Sequence, residues 1–502
     1  MPEVLRLDRI TRRFGGVLAN DAISFTLDQG EVLALMGENG AGKTTLMNIL
    51  FGHYLADEGT VTVFGRPLPP GDPKAALAAG IGMVHQHFTL AENLTVLDNV
   101  VLGTRPLWSL RDGRRGARAR LLALSSRFGL KVAPDARVAD LSVGERQRVE
   151  ILKALWREAR ILILDEPTAV LTPQESQALF ATVRVMVAEG LSVVFISHKL
   201  HEVTAVADRV VVLRRGAKVA DLPVAGTDRH RLAALMVGAE VIPPAVEAAR
   251  PGPVRLALDR VTVPGQPGLD AVTLDLRAGT ITGLAGVAGN GQGALAELLS
   301  GMTAPATGQI RIEGTDPGSW SPQKALAAGI GRIPEDRHAM GSIAAMSLTE
   351  NAILESYARP PVSRRGWLDR RAARARALRL IAAYDVRCPG PDLPIRLLSG
   401  GNMQKLILGR VLDTAPGVLL AHQPTRGLDI GAVTTLHRHL LAARDRGAAV
   451  LLISEDLDEV QALSDVIHVL HDGRLSPAFP RGTATAAELG LWMAGHGASH
   501  AA

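Results

Sequence analysis

A glycine-rich segment at residues 37–44, Gly-Glu-Asn-Gly-Ala-Gly-Lys-Thr, holds the side chains with the clearest chemical potential in this chain. It fits the pattern G-x-x-x-x-G-K-[ST], in which successive backbone N–H groups curl around phosphate oxygens. Lys43 is placed to reach terminal phosphates, and the Thr44 hydroxyl is placed to ligate Mg²⁺. An apolar run at 32–36 precedes the segment, and a helical pattern begins near Thr45. This order predicts a strand, a turn and a helix that bind nucleotide phosphate.

Two adjacent carboxylates, Asp165 and Glu166, follow an apolar run at 161–164. An apolar strand that ends in two acids indicates a chemical role, because charged groups are costly to place beside a core. We expect Asp165 to hold Mg²⁺ through its water shell and Glu166 to polarise the attacking water. An acidic helix cap is the alternative interpretation.

The glycine-rich pattern occurs twice, and the second copy lacks the reactive residues. At 286–293 the glycines remain, whereas Gln292 and Gly293 stand in place of the lysine and the threonine. Between the copies, Pro-Pro and Pro-Gly-Pro sequences interrupt any regular element. These features predict domain 1 at 1–242, a linker at 243–253 and domain 2 at 254–502.

Short apolar runs alternate with helical patterns in each copy, which predicts an α/β fold with a largely parallel sheet. In the first copy the predicted strands are 31–36, 161–164 and 192–196. Residues 90–139 are rich in Leu and Arg and show no strand pattern. They predict a helical insertion, and residues 348–394 predict its counterpart in the second copy.

Composition sets broad limits on the class of protein. A length of 502 residues predicts more than one domain, and 47% hydrophobic residues suffice for real cores. The single cysteine, Cys388, excludes an internal disulfide framework and fits a reducing compartment. We find no secretory signal and no apolar run near the roughly 20 residues that cross a bilayer, so we expect a soluble chain.

Arginines concentrate at 111–120 and at 364–376, although the net charge of +5 is small for this length. Solvated helix faces are the simpler interpretation of the two clusters. Proximity to anionic lipid headgroups is the alternative.

Three further motifs surround the Asp-Glu strand. Leu-Ser-Val-Gly-Glu stands at 141–145, Ile-Ser-His at 196–198, and Leu-Ser-Gly-Gly-Asn at 398–402 repeats the first. In this order the motifs resemble those of ATP-binding-cassette ATPases, and the resemblance covers almost the whole chain. It implies two tandem P-loop nucleotide-binding domains. Each would have a mostly parallel sheet core, a helical subdomain and an antiparallel β part.

The resemblance also implies where ATP and Mg²⁺ bind. Two such cassettes close head to tail, so each ATP would lie between the phosphate loop of one and the Leu-Ser-x-Gly segment of the other. Phe14 would stack on adenine, Gln86 would sense Mg²⁺ and the attacking water, and His198 would contact the γ-phosphate. A phenylalanine of the core and a histidine of the scaffold are the simpler alternatives.

These implications yield three sets of site residues. The nucleotide-binding set is Phe14, Gly37, Glu38, Asn39, Gly40, Ala41, Gly42, Lys43, Thr44, Thr45, Ser399, Gly400 and Gly401. The catalytic set is Lys43, Gln86, Glu166, His198, Ser399 and Gly401. The Mg²⁺ set is Thr44, Gln86 and Asp165.

Departures from the family pattern fall in one of the two composite sites. The site of the first phosphate loop is complete, because the second copy retains Ser399, Gly400, Gly401 and Asp429. In the other site Lys43 is matched by Gln292, Thr44 by Gly293, Gln86 by Glu335, Asp165 by His422, Glu166 by Gln423, His198 by Glu455 and Phe14 by Val263. The first copy's own contributions to that site also depart from the pattern, at Val143, Glu145 and Thr172. This distribution predicts one competent site, with selection lost on the other.

Tandem cassettes without membrane spans resemble importer ATPases for sugars and nucleosides, or soluble translation and repair factors. Translation-type members keep both sites and have a long charged linker, which this chain lacks. The segments at 169–175, 333–337 and 423–429 resemble the importer branch, and the pair His422-Gln423 favours nucleosides over monosaccharides.

The importer resemblance implies partners and a location. The partners would be two integral-membrane permease subunits, which need not be identical, and an extracytoplasmic solute-binding protein, with no nucleic acid. The chain would be a peripheral protein on the cytoplasmic face of the inner membrane.

Overall fold

The computed structural model describes residues 2–85, 88–104, 113–168, 171, 173–197, 199–238, 246–428 and 430–497. The chain divides into two compact units, Met1–Val241 and Ile242–Ala502. The predicted linker is described from Val246 onward, where it contacts the second unit. Val246 packs on an apolar cluster of that unit, and Arg444 Nη1 donates to the Glu247 carbonyl oxygen at 3.2 Å. The bounds of the linker stay a prediction.

The first unit contains the following elements in its described residues. Its strands are β1 (Glu3–Phe14), β2 (Val17–Asp28), β3 (Val32–Met36), β4 (Glu58–Val63), β5 (Arg66–Pro67), β6 (Ile81–Val84), β7 (Ile161–Asp165), β8 (Ser192–Ile196), β9 (Arg209–Arg214) and β10 (Ala217–Pro223). Its helices are α1 (Lys43–Leu50), α2 (Pro73–Ala78), α3 (Val96–Val101), α4 (Gly113–Arg127), α5 (Val143–Trp156), α6 (Pro173–Ala188), α7 (Leu200–Val206) and α8 (Arg229–Val237). A short 3₁₀ helix spans Val138–Asp140.

The second unit repeats this order. Its strands are β11 (Val254–Val263), β12 (Leu269–Arg277), β13 (Thr280–Ala285), β14 (Thr307–Ile312), β15 (Ile330–Ile333), β16 (Ser363–Arg364), β17 (Trp367–Leu368), β18 (Val418–His422), β19 (Ala449–Ser454), β20 (Val466–His471), β21 (Arg474–Leu475) and β22 (Phe479–Pro480). Its helices are α9 (Gln292–Leu299), α10 (Pro322–Ala327), α11 (Leu348–Ile353), α12 (Arg370–Ala383), α13 (Gly400–Leu412), α14 (Ile430–Asp445), α15 (Leu457–Leu463) and α16 (Ala486–Met493). A second 3₁₀ helix spans Ile395–Leu397.

A parallel sheet forms the centre of the first unit, with strand order β10-β9-β3-β8-β7-β6. Only the outer pair β10-β9 is antiparallel. β3, β7 and β8 are buried along their whole length, which explains why they are continuous apolar runs without alternation. A separate antiparallel sheet has the order β2-β1-β4-β5. The predicted α/β class, with a parallel core and an antiparallel part, is confirmed.

Register in this sheet decides which loops meet. Leu35 of β3 lies level with Ile196 of β8, and Ile196 lies level with Asp165 of β7. Parallel strands end at the same edge of a sheet, so the loops that follow these three strands leave it together. The glycine-rich segment and the Asp-Glu pair therefore share one edge.

The second unit has the same arrangement, in the order β15-β18-β19-β13-β20-β21, with β22 paired to β20. β13 is paired in parallel with β19 and β20, as β3 is with β8 and β9. An antiparallel sheet of order β12-β11-β14 accompanies it. The internal repeat is therefore a repeat of fold.

The second insertion differs from the purely helical prediction, because it includes a β-hairpin, β16-β17. Arg364 pairs with Trp367 across a two-residue turn. The turn residues Arg365 and Gly366 have φ of 52° and 83°. Positive φ at both positions is the requirement of the tight turns that match strand twist, and glycine supplies one at little cost. The strands have two residues each, too few for a periodic pattern to reveal.

Candidate nucleotide site

The turn between β3 and α1 requires glycine at position 42. Gly42 caps α1 with φ 99°, and a β-carbon there would overlap the Ala19 carbonyl oxygen. The buried Asn20 side chain donates from Nδ2 to the Gly42 carbonyl oxygen at 3.1 Å. Asn20 thus fixes the loop from β2, a role that the sequence did not indicate because the two residues lie 22 positions apart.

Lys43 lies inside its own loop. Its side chain is only 6% exposed, and Nζ donates to the carbonyl oxygens of Gly37 at 2.6 Å and Glu38 at 3.0 Å. Burial lowers the pKa of Lys43, and the carboxylates of Glu166 and Asp165 oppose that shift. The ammonium is thereby held on the inner side of the loop, where phosphate oxygens would lie. Thr44, the next residue, is exposed.

Asp165 and Glu166 occupy the end of β7 in different ways. Asp165 is 7% exposed, and burial raises its pKa to about 6, with Glu166 adding to the rise and Lys43 opposing it. Glu166 has φ 47°, and its N–H donates to the Ile196 carbonyl oxygen at 3.0 Å. The left-handed conformation of Glu166 ends β7, while its backbone N–H keeps one hydrogen bond to β8. Left-handed conformation in a non-glycine residue is uncommon and concentrates at functional sites.

The donor set fits Mg²⁺. The Thr44 hydroxyl and the Asp165 carboxylate are hard oxygen ligands of the kind this ion prefers. The described residues hold no group of three or more His, Cys, Asp or Glu that could bind a metal by themselves. Mg²⁺ usually keeps several waters and is bound by one or two protein oxygens plus substrate phosphates, which agrees with this sparse set.

A buried carboxylate, Glu202 on α7, links the segments that follow β7 and β8. It is 1% exposed and accepts hydrogen bonds from Thr168 Oγ1 at 2.5 Å and Ser197 Oγ at 2.6 Å. Ser197 Oγ also accepts from the Lys199 N–H at 3.0 Å. Glu202 therefore ties the chain beyond Glu166 to the chain beyond β8. A glutamate on a short helix gives no sequence signal for this role.

The second unit retains this network. Glu459 accepts from Ser454 Oγ at 2.6 Å and from Thr425 Oγ1 at 3.0 Å. Its other carboxylate oxygen lies 3.0 Å from His437 Nε2. The scaffold around the catalytic edge is thus kept in both units, although the reactive residues are not.

The phosphate loop of the second unit is closed by its own side chain. Gln292 is 6% exposed and donates from Nε2 to the Val287 carbonyl oxygen at 2.8 Å. Its Oε1 accepts from the Asn290 N–H at 3.0 Å. A backbone donor of the kind that would bind phosphate is therefore satisfied within the loop, and no cation is present at this position.

His422 at the end of β18 and Arg426 beyond it both pair with Glu335, which follows β15. His422 is 5% exposed, and its Nε2 lies 3.6 Å from Glu335 Oε2. Arg426 forms an ion pair with the same glutamate. Burial lowers the pKa of His422, an effect that Glu335 opposes. A neutral imidazole and a paired carboxylate replace the oxygen ligands expected of an intact site. Gln423 retains the left-handed backbone of Glu166, with φ 48°.

Groups of opposite charge lie at the Leu-Ser-x-Gly segments of the two units. In the first, Ser142 caps α5 in a capping box, and its N–H donates to Glu145 Oε2 at 2.9 Å. This hydrogen bond lowers the pKa of Glu145, so the carboxylate stays ionised. A β-carbon on Gly144 would overlap the Glu175 carboxylate. Two acidic groups therefore occupy the start of α5, where a phosphate would otherwise be attracted.

In the second unit, the start of α13 is cationic. Ser399 is exposed, and its Oγ accepts from Asn402 Nδ2 at 2.9 Å. A β-carbon on Gly400 would lie 3.0 Å from Arg337 Nη2, and Arg337 Nη1 donates to the Arg426 carbonyl oxygen at 2.8 Å. A neutral amide and a guanidinium thus replace the two carboxylates of the first unit. Arg337 lies 63 positions before Gly400 in the sequence, so its proximity could not be inferred.

The structure accounts for the other predicted residues as follows. Phe14 ends β1 with 42% of its surface exposed, and Tyr54 lies edge-on at 5.6 Å between ring centroids. Gln86, His198, Asp429 and Thr172 lie outside the described residues. The remaining loop residues are partly or fully exposed, except for the buried Gly37, Ala41 and Gly42. α1 begins at Lys43, two residues before the predicted start.

Comparison with known proteins gives the family. The ABC transporter family model matches residues 20–169 and 269–426, one stretch in each unit. This chain belongs to the ABC transporter family. The nucleoside import ATP-binding protein NupA of Lactococcus lactis is 43% identical over 98% of this chain and 98% of its own length.

Two further relatives represent nucleoside and sugar import. The guanosine import ATP-binding protein NupO of Bacillus subtilis is 44% identical, covering 99% of this chain and 98% of its own length. The ribose import ATP-binding protein RbsA 2 of Streptomyces avermitilis is 39% identical, covering 96% of this chain and 95% of its own length. Resemblance to importer ATPases of the nucleoside and simple-sugar branch is therefore confirmed.

Asp165→Asn should stabilise the nucleotide-free protein at pH 8. The folded pKa of about 6 exceeds the ordinary value of 3.8, so the protonated form is favoured by folding. That stabilisation is complete below about pH 4 and is lost as pH rises through 6. Asparagine imitates the protonated form and should recover up to about 3 kcal/mol at pH 8. Thermal melting with a metal chelator, from pH 8 to pH 4, measures the gain and its disappearance.

His422→Asn is the matched control, because the pKa of His422 is shifted in the direction opposite to that of Asp165. The lowered pKa of His422 means that folding favours the neutral imidazole, with stability lost as pH falls below 6.5. The stability of this variant relative to wild type should therefore increase as the pH falls. Equal pH profiles for the two variants would contradict the assignment of the two environments.

Proposed function

We propose that this chain is the ATP-hydrolysing subunit of an ABC importer, with nucleosides as the transported solute. The observation that carries the proposal is the convergence of Lys43, Asp165 and Glu166 at one edge of the first unit's sheet, beside a phosphate loop. The names of two relatives at 43% and 44% identity support the solute. Import of a monosaccharide is the second candidate, supported by the ribose-type relative.

Each residue of the site has a definite task in ATP hydrolysis. The loop N–H groups and Lys43 bind the phosphates, and Phe14 offers an exposed ring for the adenine. Glu166 orients the attacking water as a general base. Thr44 and Asp165 would hold Mg²⁺, with Gln86 as a further ligand. When bound, the ion neutralises charge on the phosphates.

The second unit is proposed to supply Ser399, Gly400 and Gly401 to the nucleotide of the first, as the family resemblance implies. The charge at the start of α13 supports this role. Arg337 and the helix N-terminus favour an anion there, whereas Glu145 and Glu175 disfavour one at the start of α5. Gln292 closes the other phosphate loop. One ATP is therefore hydrolysed per chain in each cycle, with His198 at its γ-phosphate.

Hydrolysis at that site would drive two permease subunits, aided by an extracytoplasmic solute-binding protein, between outward and inward access. The chain itself would act as a peripheral protein on the cytoplasmic side of the membrane. None of the helices in the described ranges combines the length and the apolarity that a bilayer crossing requires. Both the composition of the assembly and the location are part of this proposal.

Glu166→Gln should reduce the rate of ATP hydrolysis by on the order of 10² to 10⁴ while leaving ATP bound, because a positioned catalytic carboxylate is lost. The matched change in the second unit, Gln423→Glu, should have almost no effect. Gln292 there provides no cation for phosphate, and His422 provides no oxygen ligand for Mg²⁺. Single-turnover phosphate release measures both variants, and a burst of two phosphates per chain would contradict the single-site proposal.

Ser399→Arg should abolish hydrolysis although it lies in the unit without catalytic residues, because a long cation would occupy the place proposed for the γ-phosphate. Ser142→Arg is the matched control. It removes the cap of α5, at a cost of about 1 kcal/mol in stability, and should leave the rate within about twofold of wild type. Steady-state phosphate release and melting temperature separate the two effects. Full activity of the Ser399 variant would refute its proposed role.

The importer assignment is tested by tagging the chain and isolating it from detergent-solubilised membranes. We expect polytopic membrane proteins to co-purify, and the reconstituted assembly to accumulate labelled nucleoside in an ATP-dependent manner. The Glu166→Gln chain should recover the same proteins without uptake. Recovery of ribosomal components with no polytopic protein would overturn the importer proposal. Uptake of labelled ribose in place of nucleoside would instead favour the sugar alternative.

A further inference from the structure

The hairpin β16-β17 presents an unusual surface. Trp367 is 82% exposed and Leu368 is 48% exposed, although both are large apolar residues. Trp367 is the most exposed large hydrophobic residue among those the structure describes. Exposed apolar residues that lie together and are rimmed by polar residues are a feature of interaction surfaces.

Four arginines flank the two apolar side chains: Arg364, Arg365, Arg370 and Arg371. All four are exposed, and within the described ranges none of them is within ion-pair distance of a carboxylate, although Arg370 is attracted electrostatically to the more distant carboxylate of Glu350. The single acid in this stretch, Asp369, caps α12 by accepting from the Ala372 N–H at 3.0 Å. Its negative charge is thus directed to a helix N-terminus.

Most arginines of α4 and those further along α12 differ from these. On α4, Arg114, Arg118, Arg120 and Arg127 each form an ion pair with a carboxylate. Further along α12, Arg374, Arg376 and Arg379 are paired as well. Four of the five arginines on α4 are therefore paired, and Arg115 is the exception. At the hairpin, by contrast, four exposed arginines lie within eight residues and have no carboxylate at ion-pair distance among the described residues.

The hairpin is held firmly at its base. Val362, only 1% exposed, packs with Ile353 and Ala373 in a small apolar cluster. The Asp369 N–H donates to the Val362 carbonyl oxygen at 2.8 Å, and the Ser363 N–H donates to the Arg359 carbonyl oxygen at 3.0 Å. A fixed base and a tight turn allow the exposed residues to be presented without a large loss of conformational entropy on binding.

We propose that residues 364–371 bind the anionic lipid surface of a membrane, with Trp367 and Leu368 in the interfacial layer and the four arginines on lipid phosphates. Tryptophan is enriched at the level of lipid headgroups, since its ring is apolar and its N–H is polar. Guanidinium groups match phosphate geometry and are attracted by a negative leaflet. The inference rests on the proposed function only in placing the chain at a membrane.

The test is flotation of the purified full chain with vesicles of phosphatidylcholine, with or without phosphatidylglycerol, in the absence of any permease. Wild type should bind the anionic vesicles, and binding should fall sharply at high salt because exposed charges are screened over about 8 Å at physiological ionic strength. Substitution of all four hairpin arginines by glutamine should weaken binding by at least tenfold. Trp367→Ser should weaken it at low and high salt alike.

Arg114, Arg118, Arg120 and Arg127, changed together to glutamine, are the matched control. This variant loses the same number of positive charges, but from ion pairs, and should keep most of the vesicle binding. Wild-type levels of basal ATP hydrolysis in the hairpin variants would show that they are folded.

Equal loss of binding in the hairpin and α4 variants would overturn the inference, since total charge would then be the cause. Binding by wild type only to vesicles that contain permease would also overturn it, because the surface would then recognise protein. Vesicle binding that depends on Trp367, in a chain that supports no solute uptake, would sustain the lipid inference while the importer proposal failed.

Discussion

The parallel pairing of β3 with β8, and of β8 with β7, is the constraint on which the rest of the site depends. Leu35, Ile196 and Asp165 lie level in these three strands, so the loops that follow them leave the sheet at one edge. The phosphate loop, the Asp-Glu pair and the segment beyond Ile196 are thereby brought together from distant parts of the chain. Because all three strands are buried on both faces, a slip of register would disrupt the close packing of their side chains on each face and is strongly disfavoured.

Burial of opposite charges at this edge prepares the site for its ligand. Desolvation lowers the pKa of Lys43 and raises that of Asp165, and each group partly offsets the penalty of the other. A nucleotide with its cation would supply the missing counter-charges: phosphate for the lysine and metal for the aspartate. Without these ligands, the buried charges of Lys43 and Asp165 lower the stability of the fold, which is common in active sites.

The two units show how one scaffold can keep its architecture and lose its chemistry. Sheet order, the left-handed residue after the catalytic strand and the buried glutamate network are present in both. The substitutions change what the side chains do at these positions. The Gln292 side chain accepts a hydrogen bond from a backbone N–H of its own loop, which Lys43 cannot do because its ammonium has no acceptor. Glu335 pairs with His422 and Arg426. Backbone geometry is set by packing, so it survives the loss of groups that contact only ligands.

The amino-acid sequence by itself determined the α/β class and the tandem repeat, and it predicted the phosphate loop and the roles of Lys43, Thr44, Asp165 and Glu166, because each of these depends on local pattern or on fixed spacing. Only the tertiary structure decided which distant groups meet. Asn20 supports Gly42, Glu202 joins Thr168 to Ser197, and Arg337 reaches Gly400. The sequence also did not predict that Trp367 is exposed. Contacts between residues that are dozens of positions apart depend on strand order and helix packing. The type of a single side chain therefore does not predict which distant residue it will contact.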